Sequence, residues 1–286
     1  MKRFWITFRY TFRWFRGQIL GWGLGIAALG LLIVAFYDVF GERQADFMKM
    51  IESYPPEFLA FFGTDANGMM TPEGYLGMYG FSFLPIIIGF FAVLAGSNLI
   101  ANDEERGRLD LVIAHPVGRT AFFFGRAFAF LGAQISILLL GWLGFCIMLN
   151  GSSLGITWSQ MALPFVSSLT QALIYGALAL LLSMILPARN FASVISGLVM
   201  VIGYVLSSMA SLNENLSTIA RLFPYSYFQG SEAFTNLNLT WILALLGASA
   251  VMMLLAWWRF VRRDIRLSGE GSLGLRIPFP ILKKTA

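Results

Sequence analysis

Residues 122–149 read FFFGRAFAFLGAQISILLLGWLGFCIML and carry a single charge, Arg126, close to their start. Crossing about 30 Å of hydrocarbon takes roughly 20 mostly apolar residues in a helix, and this stretch has more than enough. It is a transmembrane helix, and it sets the pattern to look for elsewhere. Five further stretches fit that pattern: 18–38, 77–101, 161–186, 191–211 and 239–258. None has a charge near its middle; Asp38 and Arg126 lie near span ends, where side chains reach the interface. The first span is too long, and its flanks are wrong, for a cleavable signal peptide.

The composition of the whole chain agrees. Of 286 residues, 57% are hydrophobic and only 12% charged, with a mean hydropathy of +0.71. Soluble domains run at about 25% charged, so an ordinary soluble enzyme, a disordered tail and a secreted disulfide scaffold are all excluded. The single cysteine, Cys146, sits in an apolar stretch and has no partner for an internal disulfide.

An even number of spans puts both termini on one side. That side then carries 17 of the 20 basic residues, with only Arg43, Lys49 and Arg221 opposite. Short cytoplasmic loops carry the excess of Lys and Arg, which predicts cytoplasmic termini. The two sides are +11 (17 basic, 6 acidic) and −6 (3 basic, 9 acidic), which accounts for the net +5. The basic balance needs no nucleic-acid partner; the lipid bilayer explains it.

The expected organisation is an amphipathic interfacial helix over 1–17, a six-span membrane domain over 18–260 and a basic cytoplasmic tail over 261–286. In the arm, Trp5, Phe8, Phe12, Phe15 and Ile19 recur at steps of three and four and form one face. Lys2, Arg9, Arg13 and Arg16 form a row beside it. That suits a helix in the headgroup layer, or an extension of the first span with snorkelling arginines. Gly17, Gly21 and Gly25 are spaced for close approach of another helix, either within this chain or from another subunit. Pro85 and Pro164 remove backbone donors and predict kinks in spans 2 and 4. An outer loop is expected over 39–76, and an outer re-entrant or interfacial element over 212–238, where LSTIARLFPYSYF is too short to span and too aromatic to float free.

Between spans 2 and 3 the chain reads NDEERGRLDLVIAHPVGRTA, residues 102–121. Acids near a helix start favour its dipole. Gly107 interrupts that helix, and RLDLVIAH then makes another with Leu109, Val112 and Ile113 on one face. Pro116 stops it, and Gly118 with Arg119 turns the chain into span 3. A short helix with an apolar face bracketed by charge reads as a docking element for a soluble partner. The same composition also fits a plain loop whose acids balance its arginines.

At this loop the chain resembles the ABC-2 type permeases, membrane subunits of ATP-binding-cassette exporters. The resemblance rests on E-E-R-G-R-L followed by H-P-V-G-R before an aromatic-rich span, with Arg108 where Thr is usual and Gly118 where Ser is usual. Topology extends it over nearly the whole chain: an amphipathic arm, six spans and a membrane-associated element before the last. It implies an all-α polytopic membrane protein with a cytoplasmic coupling helix within 102–120 that docks on an ATPase subunit. The coupling positions are Glu104, Glu105, Gly107, Leu109, Pro116 and Arg119, with Val112 and His115 on the same docking surface. The resemblance also implies that spans 2 and 5 line a substrate path, on which Phe83, Phe90, Met200 and Tyr204 are the candidates. Phe223, Pro224 and Tyr225 are candidates for an outer gate.

The energy source follows from an absence in the sequence. None of Lys2, Lys49, Lys283 and Lys284 sits in a G-x-x-x-x-G-K-[ST] pattern, so no cofactor is expected in this chain. ATP and Mg would belong to two copies of a separate ATPase subunit, working with a second permease copy or a homologous permease chain. The predicted function is export of a hydrophobic or amphipathic substrate across a prokaryotic inner membrane. Three other readings stand beside it. A secondary transporter would place ionisable groups inside its spans, and these spans lack them near their centres. An intramembrane enzyme of the H-E-x-x-H type needs two histidines, and His115 is the only one. A mechanical transmitter acting on an extracytoplasmic partner would share every feature of the exporter.

Overall fold

The computed structural model describes residues 2–42, 49, 54–55, 71–107, 118–210 and 214–262. Those residues are helical with short turns, and no strand occurs among them. Among the described residues six helices are long and apolar enough to cross a membrane: Arg16–Val39, Pro72–Asn98, Arg119–Gly151, Trp158–Ile185, Arg189–Ser208 and Leu239–Arg262. They coincide with the six expected spans to within a few residues at most ends.

In chain order, α1 (Lys2–Trp14) leads into α2 (Arg16–Glu42). Span 2 is composite: α3 (Pro72–Leu76), a π-helical turn (Gly77–Phe81), a break at 82–83 and α4 (Leu84–Asn98). Pro85 sits at the start of α4, where its missing N–H costs nothing. The short α5 (Ala101–Glu105) follows, then α6 (Arg119–Ile147), α7 (Trp158–Ile185) and α8 (Arg189–Ser208). Between spans 5 and 6 lie α9 (Glu214–Ala220) and two 3-10 turns, Pro224–Tyr227 and Ser231–Phe234. This is the non-spanning element expected over 212–238. Last comes α10 (Leu239–Arg262).

The hub is α7. In its most apolar stretch 72% of residues are buried, against 22% for α10, and it packs on α4, α6, α8 and α10. Its Thr157 cap makes a reciprocal box with Gln160, which satisfies the first free amides. The helix runs through Pro164, whose carbonyl accepts a bond from the Ser168 hydroxyl at 2.8 Å. Buried Thr170 and Ser183 likewise donate to their own helix at 2.7 Å, so their hydroxyls are not stranded in an apolar setting.

Glycines set the closest helix approaches. Gly96 of α4 meets the backbone of Gly176 on α7, and Gly144 of α6 meets the backbone of Ala27 on α2. The expected stripe of Gly17, Gly21 and Gly25 does none of this: among the described residues nothing lies within 4 Å of a Cβ placed there. Gly23 and Gly30, on another face of α2, take that role against Leu140 and Phe145. The arm follows its predicted stripe except at Trp5, for Phe15 and Ile19 are buried. Phe4, Phe8 and Phe12 pack along α6 against Phe128 and Gly132, whereas Trp5 is 55% exposed.

These contacts predict opposite outcomes for two glycine substitutions. Gly96→Val drives a side chain into the Gly176 carbonyl and should cost about 1–3 kcal/mol or more from overpacking. Thermal unfolding in detergent should show a clear fall in Tm, while Gly21→Ala leaves it unchanged. Equal effects of the two would contradict this packing.

Candidate functional site

Two polar assemblies stand at opposite ends of the bundle. The first gathers the ends of spans 2 and 6 and the starts of spans 3 and 5. A charge at a span end must find partners or water, because its desolvation in hydrocarbon is costly. Arg126, about two turns into α6, is buried and forms an ion pair with Asp103 of α5. It also donates to the carbonyl of Leu99 and lies over the Phe122 ring at 4.3 Å. Arg189, the first residue of α8, pairs with Glu105 at 2.9 Å. Its side chain donates to Asn98 and, at 3.0 Å, to Asn102, and its backbone N–H donates to Glu105 at 3.1 Å. Thus α5 is tied to span 3 by one acid and to span 5 by another.

The expected coupling positions fall around this junction. Glu104 is buried, Glu105 is exposed and engaged with Arg189, and Gly107 takes φ +63°, the left-handed conformation that favours glycine. Arg119 reaches across to the last helix and donates to the Val261 carbonyl at 3.0 Å. That bond satisfies an end carbonyl of α10 and places a cation at the negative end of its dipole. Leu109, Val112, His115 and Pro116 lie outside the described residues, as does the coupling helix itself.

The sequence places Arg126 at a span end without a partner, assigns Asp103 only to a helix dipole and Arg189 only to the cytoplasmic charge excess, and singles out neither Asn98 nor Asn102. The signal was present. A lone arginine just inside a span demands an acid within reach, and Asp103 at the end of the preceding span is a neighbour in chain order.

The second assembly lies at the far end, where span 2 breaks. The Ile86 amide turns to the Phe83 carbonyl at 3.1 Å, and the Ser82 carbonyl accepts the Tyr225 hydroxyl at 3.1 Å. Burial pushes the Tyr225 phenol up, so it stays neutral and remains a donor. Gln171 of α7 donates to the Pro224 carbonyl at 2.7 Å, and the Gln229 amide donates to the Ser167 hydroxyl at 2.9 Å. Ser207 of α8 and Ser226 share a bond at 2.8 Å. Spans 2, 4 and 5 therefore each hold the irregular element through a polar contact, which is what lets such backbone sit against a membrane bundle.

Beside this element opens a cavity of about 370 Å³, bordered by Ser82, Ser207, Ser208, Ser217, Arg221 and Glu232, with Tyr204 and Tyr225 in its wall. The Tyr204 and Tyr225 rings meet edge to face at 5.1 Å. Phe223 packs on Gly203 of α8. The three residues expected at an outer gate thus sit together, with Tyr204. The four residues expected along a path do not form one surface. Tyr204 borders the cavity, and Met200 is buried against Gly89 between spans 2 and 5. Phe83 and Phe90 point outward, 43% and 44% exposed. Gln171 and Ser167, which fasten the element, were missed; polar residues inside span 4 were the available sign.

Removing the Gln171 donor should loosen the element. In a chain bearing Ala220→Cys, which replaces a residue now 1% exposed, the introduced thiol should resist a water-soluble maleimide. Adding Gln171→Leu should raise its labelling rate several-fold. An unchanged rate would show that the contact does not hold the element down.

Among the described residues no group of three or more His, Cys, Asp or Glu is placed to hold a metal. Among curated proteins the chain has no match. A family model described as the multidrug efflux system permease Rv1217c, C-terminal domain, matches residues 7–261. That match runs from the arm to the end of span 6, and the six spans fit it: the chain belongs to this family of ABC-2 type multidrug efflux permeases.

Proposed function

We propose that the chain is the membrane half of an efflux pump powered by a separate ATP-binding-cassette ATPase, with both termini in the cytoplasm of a prokaryotic cell. The observation that carries this reading is the junction at α5. The segment entering the loop between spans 2 and 3 is fastened to span 3 through Asp103–Arg126 and to span 5 through Glu105–Arg189. A push delivered to α5 by an ATPase subunit would reach both spans through these two contacts. Small shifts at one site become rigid-body motions when the elements between are packed and discrete. Glu104, Glu105, Gly107 and Arg119, with Leu109, Val112, His115 and Pro116 beyond them, are the residues assigned to this coupling.

The moving spans lead to the far cavity. The α4 part of span 2 runs from Asn98 to the break beside Ser82, and span 5 from Arg189 to Ser208, so both reach the element that holds Tyr225 and Ser226. Motion of span 5 against span 2 would open or close the element around Phe223, Pro224 and Tyr225 at the exit. The apolar residues between, Met200 among them, suit a hydrophobic or amphipathic cargo, and the serine-rich cavity offers hydroxyls to its polar part. Two such chains, identical or related, would form the pump. In this arrangement α6, 29 residues and about 44 Å long at 1.5 Å per residue, outreaches the hydrocarbon. Its first turns then stand at headgroup level with α1 packed beside them, in keeping with an interfacial arm over 1–17.

The reading makes two demands. Co-expressed with the ATPase encoded nearest to it, the chain should co-purify with that subunit and lower accumulation of a hydrophobic dye only when ATP is hydrolysed. Efflux that persists without the ATPase and collapses with a protonophore would support a secondary transporter instead. Glu105→Ala should leave the complex assembled and hydrolysing ATP while efflux falls about tenfold. The exchange Glu105→Arg with Arg189→Glu should recover part of the loss. Full efflux in Glu105→Ala would mean that this ion pair transmits nothing.

A further inference from the structure

A second cavity, about 300 Å³, opens at the α5 end of the bundle, where it shares Asn98, Asn102 and Arg189 with the junction and adds Arg106 and an aromatic floor. Its walls change character with depth. At the mouth stand Arg106, Arg189, Asn98 and Asn102; at the floor lie Phe15 and Phe91, both almost fully buried. Along α4 the change from Asn98 through Leu94 to Phe91 takes two turns, about 10 Å. The floor is continuous aromatic surface: Phe15 meets Phe91 edge to face at 6.1 Å, Trp22 lies 6.4 Å from Phe91, and Trp14 lies 5.3 Å from Phe15.

The charges at the mouth are unequal. Arg189 is fixed by Asn98, Asn102 and Glu105, which orients it and neutralises it. Arg106 is exposed and forms no ion pair among the described residues. Among the described residues no acid borders the cavity. A cationic mouth over an apolar floor, at the level where spans 1, 2 and 5 leave the hydrocarbon, complements one kind of molecule. We infer that this cavity binds an anionic amphiphile, a phosphate headgroup seated between Arg106 and Arg189 with its chain along Trp14, Trp22 and Phe91. Arginine suits the task because its planar fork can grip two phosphate oxygens. The Asn amides add neutral donors, and the cavity size matches a headgroup with the first part of a chain, at the small end of ligand pockets. The same chemistry is found in a membrane phospholipid and in a free alkyl phosphate. Binding requires only that the chain spans a membrane, so it stands or falls independently of coupling to an ATPase.

The full chain, purified from membranes containing phosphatidylglycerol and phosphatidylcholine, would be stripped with neutral detergent and examined by native mass spectrometry. Retention of phosphatidylglycerol over phosphatidylcholine is expected, lowered about tenfold by Arg106→Ala, on the scale of one charge-assisted contact. Arg16→Ala, at an exposed arginine that does not border the cavity, should retain as much as the unaltered chain. In a second arm dodecyl phosphate is added to the stripped protein. Arg106-dependent thermal stabilisation without phosphatidylglycerol retention would identify a free amphiphile as the ligand rather than a bilayer lipid. Equal retention of both lipids together with no Arg106-dependent effect of dodecyl phosphate would overturn the inference. So would an Arg106→Ala chain that keeps its lipid and loses only the ATPase subunit, which would assign Arg106 to a protein interface.

Discussion

Inside hydrocarbon every backbone N–H and C=O must find a partner within the protein, and this constraint shapes both ends of the bundle. Where the helices are continuous it is met without help. Where they are not, side chains from neighbouring spans take over. The break in span 2 leaves the Ser82 carbonyl to Tyr225, and the turn after α9 leaves the Pro224 carbonyl to Gln171. The irregular element before span 6 is consequently part of the bundle, fastened to spans 2, 4 and 5. That explains why α7 combines the deepest burial with buried Ser167 and Gln171: the hub is also the anchor.

The α5 end answers the same demand for charge. The Asp103–Arg126 pair is mostly shielded, with side chains 18% and 9% exposed. Removing one member of such a pair leaves an uncompensated charge and costs about 3–5 kcal/mol when burial is complete. The Glu105–Arg189 pair is 39% and 30% exposed, and solvent screening reduces its worth to about 1 kcal/mol or less. The two pairs therefore differ in kind. The first is a shielded strut, and the second, worth little by itself, is reinforced by the bonds of Arg189 to Asn98 and Asn102.

Much of this architecture was legible in the sequence. The six spans stand out because twenty-residue apolar runs have few other readings, and the element before span 6 because LFPYSYF is neither a span nor a polar loop. Which face of a helix meets which neighbour was far less legible. The evenly spaced Gly17, Gly21 and Gly25 read as a stripe for contact within this chain or with another subunit, yet within the chain Gly23 and Gly30 make the contacts. In a span that is apolar all round, hydrophobicity cannot distinguish a helix-facing side from a lipid-facing one. The same blindness separates buried Met200 from outward-pointing Phe83 and Phe90. Polar partnerships across the chain, such as Gln171 with Pro224, need three-dimensional neighbours that no local pattern supplies.

The central claim is that α5 and span 5 move as one body when the pump turns over. Spin labels at Arg106→Cys and Asn190→Cys, both exposed positions flanking the junction, would report the distance across it in the assembled complex. Labels at Asn190→Cys alone would report the separation between the two permease halves. On trapping the ATP-bound state, the account predicts an unchanged distance across the junction and a shifted distance between halves. A junction distance that changes while the halves stay in place would contradict it.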